Sequence, residues 1–412
     1  MITKASDWQR PALKATDDVS EKVTTMLSQI RGEGLGLGLG LGVDDRDKKI
    51  EQLSMQFDKI IPTVIKLKAF DEYKLDDELA ESIKTAHQRI EAFAKFQLSR
   101  VESSKYTDDF GTFGQVISPI KKIGAYIPGG RFPLISTALM TLVPAKVAGS
   151  TIRIACSPST NPALLAAASL AGATEFIHIG GVQAIAALAY GYQQTPAVDL
   201  IVGPGNIWVN EAKKQVQGSV KIDGLAGPSE LLALCDSKQP LDWLAWDALA
   251  QAEHDPLACS LIVSDDQNWL LKLQHYLEAN AQFAELIANK QIELIHTESM
   301  KQTVQFSENY APEHLMLCHE AISENELSNY GSLFVGANSA VALGDYITGP
   351  NHTLPTLGFA RQTGGLSVNT FLRIKTVQKV TNQGRKALSK LAMPLAKAEG
   401  LMNHYESLKI RC

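Results

Sequence analysis

Apolar positions near helical spacing, Val19, Val23, Met26, Leu27 and Ile30, predict an amphipathic helical segment over residues 1–30. Residues 34–42 then alternate glycine with leucine without a break. That alternation lacks the GxGxxG spacing of a dinucleotide loop and no clear strand precedes it, so it reads as a flexible connector or as sequence slippage. Helical periodicity returns over 47–105.

From 115 to 238 the pattern changes to short β-rich runs alternating with small-residue helices, joined by Gly, Pro or Ser turns. Gln115–Ile127 is strand-like and precedes a helical Leu134–Val147. The strands Thr151–Cys156, Phe176–Ile179 and Val198–Val202 are each followed by a loop and a helix. Four successive strand–loop–helix units predict an α/β fold with a parallel sheet and helices on its faces. In such sheets ligands bind at the carboxyl ends of strands, where helix starts offer unpaired N–H groups to an anion. Glycines that merely permit tight reversal would leave the same pattern, so the nucleotide site stays open at this point.

A second α/β stretch follows, with helical Leu241–His254, a strand at Cys259–Val263, a long amphipathic helix at Asn268–Ala288 and a strand at Ile292–Ile295. Ser332–Val335 and Val341–Leu343 read as further extended segments, and the chain after Arg373 reads as mostly helical. A tail of about 40 residues is too short to build its own core, so it must pack on something else, a partner subunit being one candidate.

Composition narrows the class. At 412 residues, with 45% hydrophobic and 20% charged residues, the chain has room for two or three soluble domains. A net charge of −5 without a long basic run favours neither nucleic acid nor an anionic membrane. Charges at Lys4, Asp7, Arg10, Lys14, Asp17 and Asp18 break up any signal-peptide core, and no apolar run is long enough for a membrane span. Five scattered cysteines without CxxC spacing suit free thiols in a reducing cytoplasm. Among them Cys156 reads as a packed strand residue, with no neighbouring His to activate it.

Four strings concentrate polar chemistry. Gln251 and His254 lie three apart, so a helix would put them on one face to grip an ion, or simply end there with a solvated His. Glu313 and His314 stand at the entrance of the apolar run Leu315–Cys318; a near-neutral imidazole beside a carboxylate is a usual general base, and also an ordinary solvated pair. The turn-rich stretch from Gly344 to Pro355 offers Asp345 and His352. Glu399 and His404, five apart, point about 140° apart on an ideal helix and share a face only if Gly400 breaks the turn. Together Gln251, His254, Asp345 and His404 form an N/O set without sulfur, suited to zinc and tolerant of manganese or cobalt.

The sequence resembles histidinol dehydrogenases from about Phe57 to Glu406. The resemblance rests on Tyr126-Ile-Pro-Gly-Gly130, Gly180-Gly-Val-Gln-Ala-Ile185, Gly203-Pro-Gly-Asn206, Gly227-Pro-Ser-Glu230 and Gln251-Ala-Glu-His-Asp-Pro256. It continues in Ala311-Pro-Glu-His-Leu315, in Gly344-Asp-Tyr346 with Asn351-His352 and Leu354-Pro355, and in Glu399-Gly-Leu401 with His404. The resemblance implies zinc held by Gln251, His254, Asp345 and His404, and an acid–base pair Glu313 and His314. It implies substrate contacts from Ser229, His314, His352 and Glu399 besides the metal ligands, and NAD held by Tyr126, Gln183 and Asn206.

It also implies two incomplete Rossmann-like parallel-sheet domains with helical N-terminal and C-terminal segments, in a cytoplasmic homodimer whose tail reaches the neighbour's site. The segments are expected as 1–30 helical, 31–115 with 239–375 as a first α/β domain, 116–238 as a second, cofactor-side domain, and 376–412 as the helical tail. The implied reaction is the NAD-linked four-electron oxidation of L-histidinol through L-histidinal to L-histidine, the last step of histidine biosynthesis. The departure lies at 32–48, where the Gly-Leu repeat replaces a charged helix start. Competing readings are a sister dehydrogenase of another small polar diol or amino alcohol, a non-catalytic metal-binding dimer, and a nucleotide-binding regulator. A sulfonated diol is disfavoured because Glu399 would repel the sulfonate.

Overall fold

The structure, a computed structural model, describes residues 2–11, 17–32, 42–129 and 133–412. The Gly-Leu repeat, apart from Gly42, lies outside the described residues, as does Gly130. Strand β1 (Ile2–Lys4) is followed by helices α1 (Asp17–Arg31) and α2 (Val43–Phe57), strand β2 (Thr63–Ile65) and helix α3 (Asp77–Leu98). Strands β3 (Ser104–Thr107) and β4 (Gly111–Pro119) form an antiparallel pair. Four βα units come next: β5 (Lys122–Tyr126) with α4 (Ile135–Ala148), β6 (Ile152–Ser157) with α5 (Pro162–Leu170), β7 (Glu175–His178) with α6 (Gly181–Tyr190), and β8 (Leu200–Val202) with α7 (Ile207–Val216). Strand β9 (Lys221–Ile222) ends this run.

The second run is β10 (Glu230–Cys235), α8 (Leu241–Ala252), β11 (Cys259–Ser264), α9 (Gln267–Ala279), α10 (Ala284–Ala288) and β12 (Ile292–His296). It continues through α11 (Met300–Tyr310), β13 (His314–Cys318), β14 (Ser332–Val335) and α12 (Val341–Tyr346). Strand β15 (Leu372–Val380) leads into α13 (Asn382–Ala398) and α14 (Met402–Lys409).

Two six-stranded sheets organise the α/β fold. The first, in the order β2-β7-β6-β5-β8-β9, is parallel except for β2 at its edge. The second, β1-β12-β11-β10-β13-β14, is parallel throughout. Near-continuous apolar strands such as Leu231–Cys235 and Leu315–Cys318 are buried because helices cover both faces. A third sheet, β15-β4-β3, is antiparallel.

The four βα units match the strand–loop–helix reading, and the apolar stripe of α1 is buried at the positions its spacing predicted. Several boundaries differ. The segment 1–30 begins with β1, which pairs with β12 at the edge of the second sheet. Residues 31–115 meet both units: α1 and α2 pack on α6, α1 also on α7, α3 on α4, and β2 pairs with β7. Helix α3 also holds the segment 347–371, Arg89 donating to the Ile347 carbonyl at 2.6 Å and Gln97 accepting the Val368 N–H at 3.2 Å. Each fully buried aliphatic side chain contributes about 1.5–3 kcal/mol. The helical stripes therefore dock on the nearest apolar helices, those of the 116–238 unit, where Val23, Leu27 and Ile50 share a core with Val182 and Ile185.

Gln115–Ile127 is two strands in different sheets, interrupted after Pro119. Val341–Leu343 is the start of a helix, not a strand. The tail opens as strand as far as Val380, because β15 pairs along the whole of β4, a partner more than 250 residues earlier in the chain that no local pattern reveals. Strand β10, absent from the sequence reading, is central in its sheet. Among the described residues no helix is long and apolar enough to cross a membrane.

Candidate functional site

The polar residues of the second sheet gather at its amino edge. Strands β10 and β13 are parallel neighbours with Leu231 opposite His314, so Glu230 and the Glu313–His314 pair stand side by side where both strands begin. Helix α8 runs back to the same edge, and its last turn carries Gln251 with His254 just beyond. This is the reverse of the carboxyl-edge placement expected for ligands in such sheets.

Buried Glu313 accepts the Glu230 backbone N–H at 2.8 Å through Oε2. Its other carboxylate oxygen makes no hydrogen bond among the described residues. His314, only 4% exposed, places Nδ1 3.2 Å from the Glu230 carbonyl and 3.5 Å from Glu313 Oε2. Both neighbours only accept, so Nδ1 carries the proton and Nε2 is the working nitrogen. Nε2 faces Asp345 Oδ1 at 3.8 Å. Burial alone would lower the imidazole's pKa; Glu313 first, then Asp345 and the Glu230 carbonyl, raise it to about 9.

Beside them lies a cavity of about 310 Å³, lined by His314, Phe334, Asn338, Gly344 and His352 among others. His352 donates from Nδ1 to the Asp345 carbonyl at 2.9 Å, and its Nε2 lies 3.3 Å from Thr137 Oγ1 on α4. Burial pushes its pKa below the usual value, so it is neutral near pH 7. Asn351 donates to the Met140 carbonyl at 2.6 Å, so the loop after α12 ties the cavity to the other unit. Ser229 is half-buried at the same amino edge, its carbonyl accepting from Cys259 at 3.0 Å.

The structure thus brings Glu313, His314, Asp345 and His352 together. Helix α12, which bears Asp345, packs against α8, which bears Gln251. Gln251 is buried, yet its amide makes no hydrogen bond among the described residues, while His254 is exposed. Glu399 and His404 are exposed on the tail and are not brought to these residues within one chain. Helix α14 packs on α13 and buries none of its residues. Among the described residues no three His, Cys, Asp or Glu side chains cluster as a metal site. The donors that can fit an ion are the Gln251 amide, Asp345 and His254, all nitrogen or oxygen, on or just beyond the packed helices α8 and α12. That is an incomplete shell for zinc, and it wants one more ligand.

Tyr126, Gln183 and Asn206 all stand at the carboxyl edge of the first sheet. Tyr126 ends β5, its buried hydroxyl beside the Gly181 N–H. Gln183, buried in the first turn of α6, donates its amide to Asp58 Oδ2. Asn206 caps α7, its Oδ1 accepting from Trp208 and Val209 at 3.1 Å, with the side chain exposed.

Sequence reasoning missed Arg10, Glu230, Thr137 and Asp58. Buried Glu230 has its pKa raised by desolvation to about 7 and pairs with Arg10 at 3.3 Å. Arg10 also covers the Tyr310 ring at 3.8 Å. Only tertiary packing brings residue 10 to residue 230, so no local signal could have paired them.

A family model described as histidinol dehydrogenase matches residues 9–412. A histidinol dehydrogenase of Methanococcus maripaludis is 41% identical over 84% of this chain and 83% of its own length. One from Thermus thermophilus is 38% identical over 98% of this chain and 97% of its own. The crystal structure of histidinol dehydrogenase from Elizabethkingia anophelis superposes with a TM-score of 0.85 at 33% identity, covering 98% of this chain and 94% of that one.

Proposed function

This chain belongs to the histidinol dehydrogenase family, and from that premise we propose that it oxidises L-histidinol to L-histidine in two NAD-linked steps with a divalent metal, zinc. The observation that carries the proposal is the Glu313–His314 couple whose free Nε2 faces Asp345 beside the cavity.

Gln251, His254 and Asp345 of one chain, with His404 of a second copy, would hold the ion. Bound there, it would supply a positive charge that orients substrate nitrogens, so that positioning rather than Lewis acidity dominates. NAD, held at Tyr126, Gln183 and Asn206, would accept the electron pair at each oxidation. His314 takes the alcohol proton at Nε2, with its proton-bearing Nδ1 anchored on the Glu230 carbonyl. Glu313, with one oxygen unengaged, then draws a proton from the water that attacks the aldehyde. His352, lining the cavity, and Ser229, at the same amino edge, would contact substrate. Glu399 of the second copy, a carboxylate, matches the substrate ammonium.

The homodimer is supported by the tail, whose Leu391, Leu395 and Ile410 are each at least 67% exposed. The cytoplasm is the setting that suits the free thiols. The test is NADH absorbance on adding L-histidinol, with a chelator and then with zinc restored. Absorbance should rise, fall silent with the chelator and return with zinc. No rise under any of these conditions overturns the proposal.

A further inference from the structure

Asp58 is the C-cap residue of α2 and belongs to neither the catalytic couple nor the donor set. It is half-buried over the carboxyl edge of the first sheet. A Cβ built on Gly180 would stand 3.2 Å from Asp58 Oδ2 and 2.9 Å from Pro158 Cβ, so the carboxylate sits where β6 and β7 end. Oδ2 accepts the Gln183 amide, and Oδ1 makes no hydrogen bond among the described residues. Desolvation raises its pKa, with the Gln183 bond opposing.

In a doubly wound sheet the dinucleotide lies across the strand ends, and a carboxylate near the end of the strand next to the first one takes the ribose hydroxyls. Here β5 is the first strand of the run and β6 its neighbour, and β6 ends in Cys156 and Ser157 with Pro158 following, none of them acidic. The carboxylate after β9, Asp223, is already engaged by Lys213 Nζ at 2.6 Å and by the backbone N–H groups of Gly203 and Gly224. Asp58 arrives at the vacant position from a different part of the chain.

We propose that Asp58 binds the 2′-hydroxyl of the cofactor's adenosine ribose through its unengaged oxygen, and so selects a dinucleotide without a 2′-phosphate. This rests on the NAD-linked reading above and deepens it. A 2′-phosphate would bring two negative groups to within a few ångströms, whereas a hydroxyl donates to the carboxylate.

The test reads equilibrium binding of NAD and of NADP to the enzyme by calorimetry, where Asp58→Asn should narrow the gap between the two dissociation constants. It also reads turnover of the zinc-loaded enzyme with saturating L-histidinol and either dinucleotide. With Asp58→Asn the ratio of kcat/KM for NAD over NADP should fall about tenfold or more, while KM for L-histidinol stays within about twofold. Gln183→Ala removes the partner but keeps the charge, and should weaken NAD without relaxing the ratio. On the unaltered enzyme, NAD lacking the adenosine 2′-hydroxyl should lose about tenfold in kcat/KM, a result that needs no variant to fold. An unchanged ratio in Asp58→Asn, or the deoxy cofactor used as well as NAD, overturns the inference. An unaltered enzyme that reduces no NAD with L-histidinol instead sinks the functional reading beneath it.

Discussion

At the residue scale the chemistry turns on how His314 is held. Its Nδ1 is pinned by the Glu230 carbonyl, leaving Nε2 to act. An asparagine at 314 keeps a polar group of similar reach but cannot take a proton. His314→Asn should lower kcat by about 10²–10⁴-fold with metal content near that of the parent, read by turnover and by metal analysis. Lost metal would mean that the residue is a ligand and not a base. The pH profile follows from the same contacts. Burial lowers the imidazole's pKa, and Glu313 and Asp345 lift it above 6.5 to about 9. A base works when deprotonated, so kcat/KM for L-histidinol should rise with pH through a limb between those two values. A divalent ion on Asp345 would offset that residue's share of the lift and, by its net positive charge, lower the imidazole further, so the limb of the metal-loaded enzyme lies below that of the metal-free one. Glu313→Gln should therefore move the limb towards acid while lowering the rate, and a limb that stays put would contradict this account.

At the scale of elements, the loop after β8, proposed to meet the cofactor, is fastened from below. Lys213, 1% exposed on α7, donates to Asp223 and to the Gly203 carbonyl at 2.9 Å, and Asp223 Oδ2 accepts the Gly203 N–H at 2.7 Å. Lys213→Met would leave Asp223 buried without its counter-charge, a change that costs about 3–5 kcal/mol. Chemical denaturation should show a loss of that order, and a loss below 1 kcal/mol would mean that water replaces the ammonium. Elements are also where the sequence was most legible. The βα units and the stripe of α1 follow from local spacing, because alternation and helical period survive wherever one neighbour supplies the cover. What was not legible is pairing at a distance. Strand β15 is laid against β4, and α2 and α3 cover a sheet whose parallel strands all come after them. The site was readable as separate strings, Gln251 to His254 and Glu313 to His314. Which sheet edge they share became visible only with the register of β10 on β13.

On the scale of the whole molecule, the residues proposed for substrate stand at the amino edge of one sheet and those proposed for cofactor at the carboxyl edge of the other, with His352 reaching across to Thr137. One chain leaves the donor set short of its fourth member. Two inactive variants, His404→Ala and Asp345→Asn, mixed after reversible dissociation, should recover about a quarter of parental activity: half the dimers are mixed, and each carries one intact site. Tail residues acting within their own chain would give no recovery. The start of the chain bears on the same region. Strand β1 is zipped to β12, and six residues past its end Arg10 neutralises Glu230, whose carbonyl orients the imidazole. A version trimmed to begin at residue 11 would retain every group assigned to binding or catalysis and still strand an acid in the interior next to the base. Fusion tags and proteolytic nicks at that end therefore threaten turnover, although no residue there is among those proposed to meet the substrate.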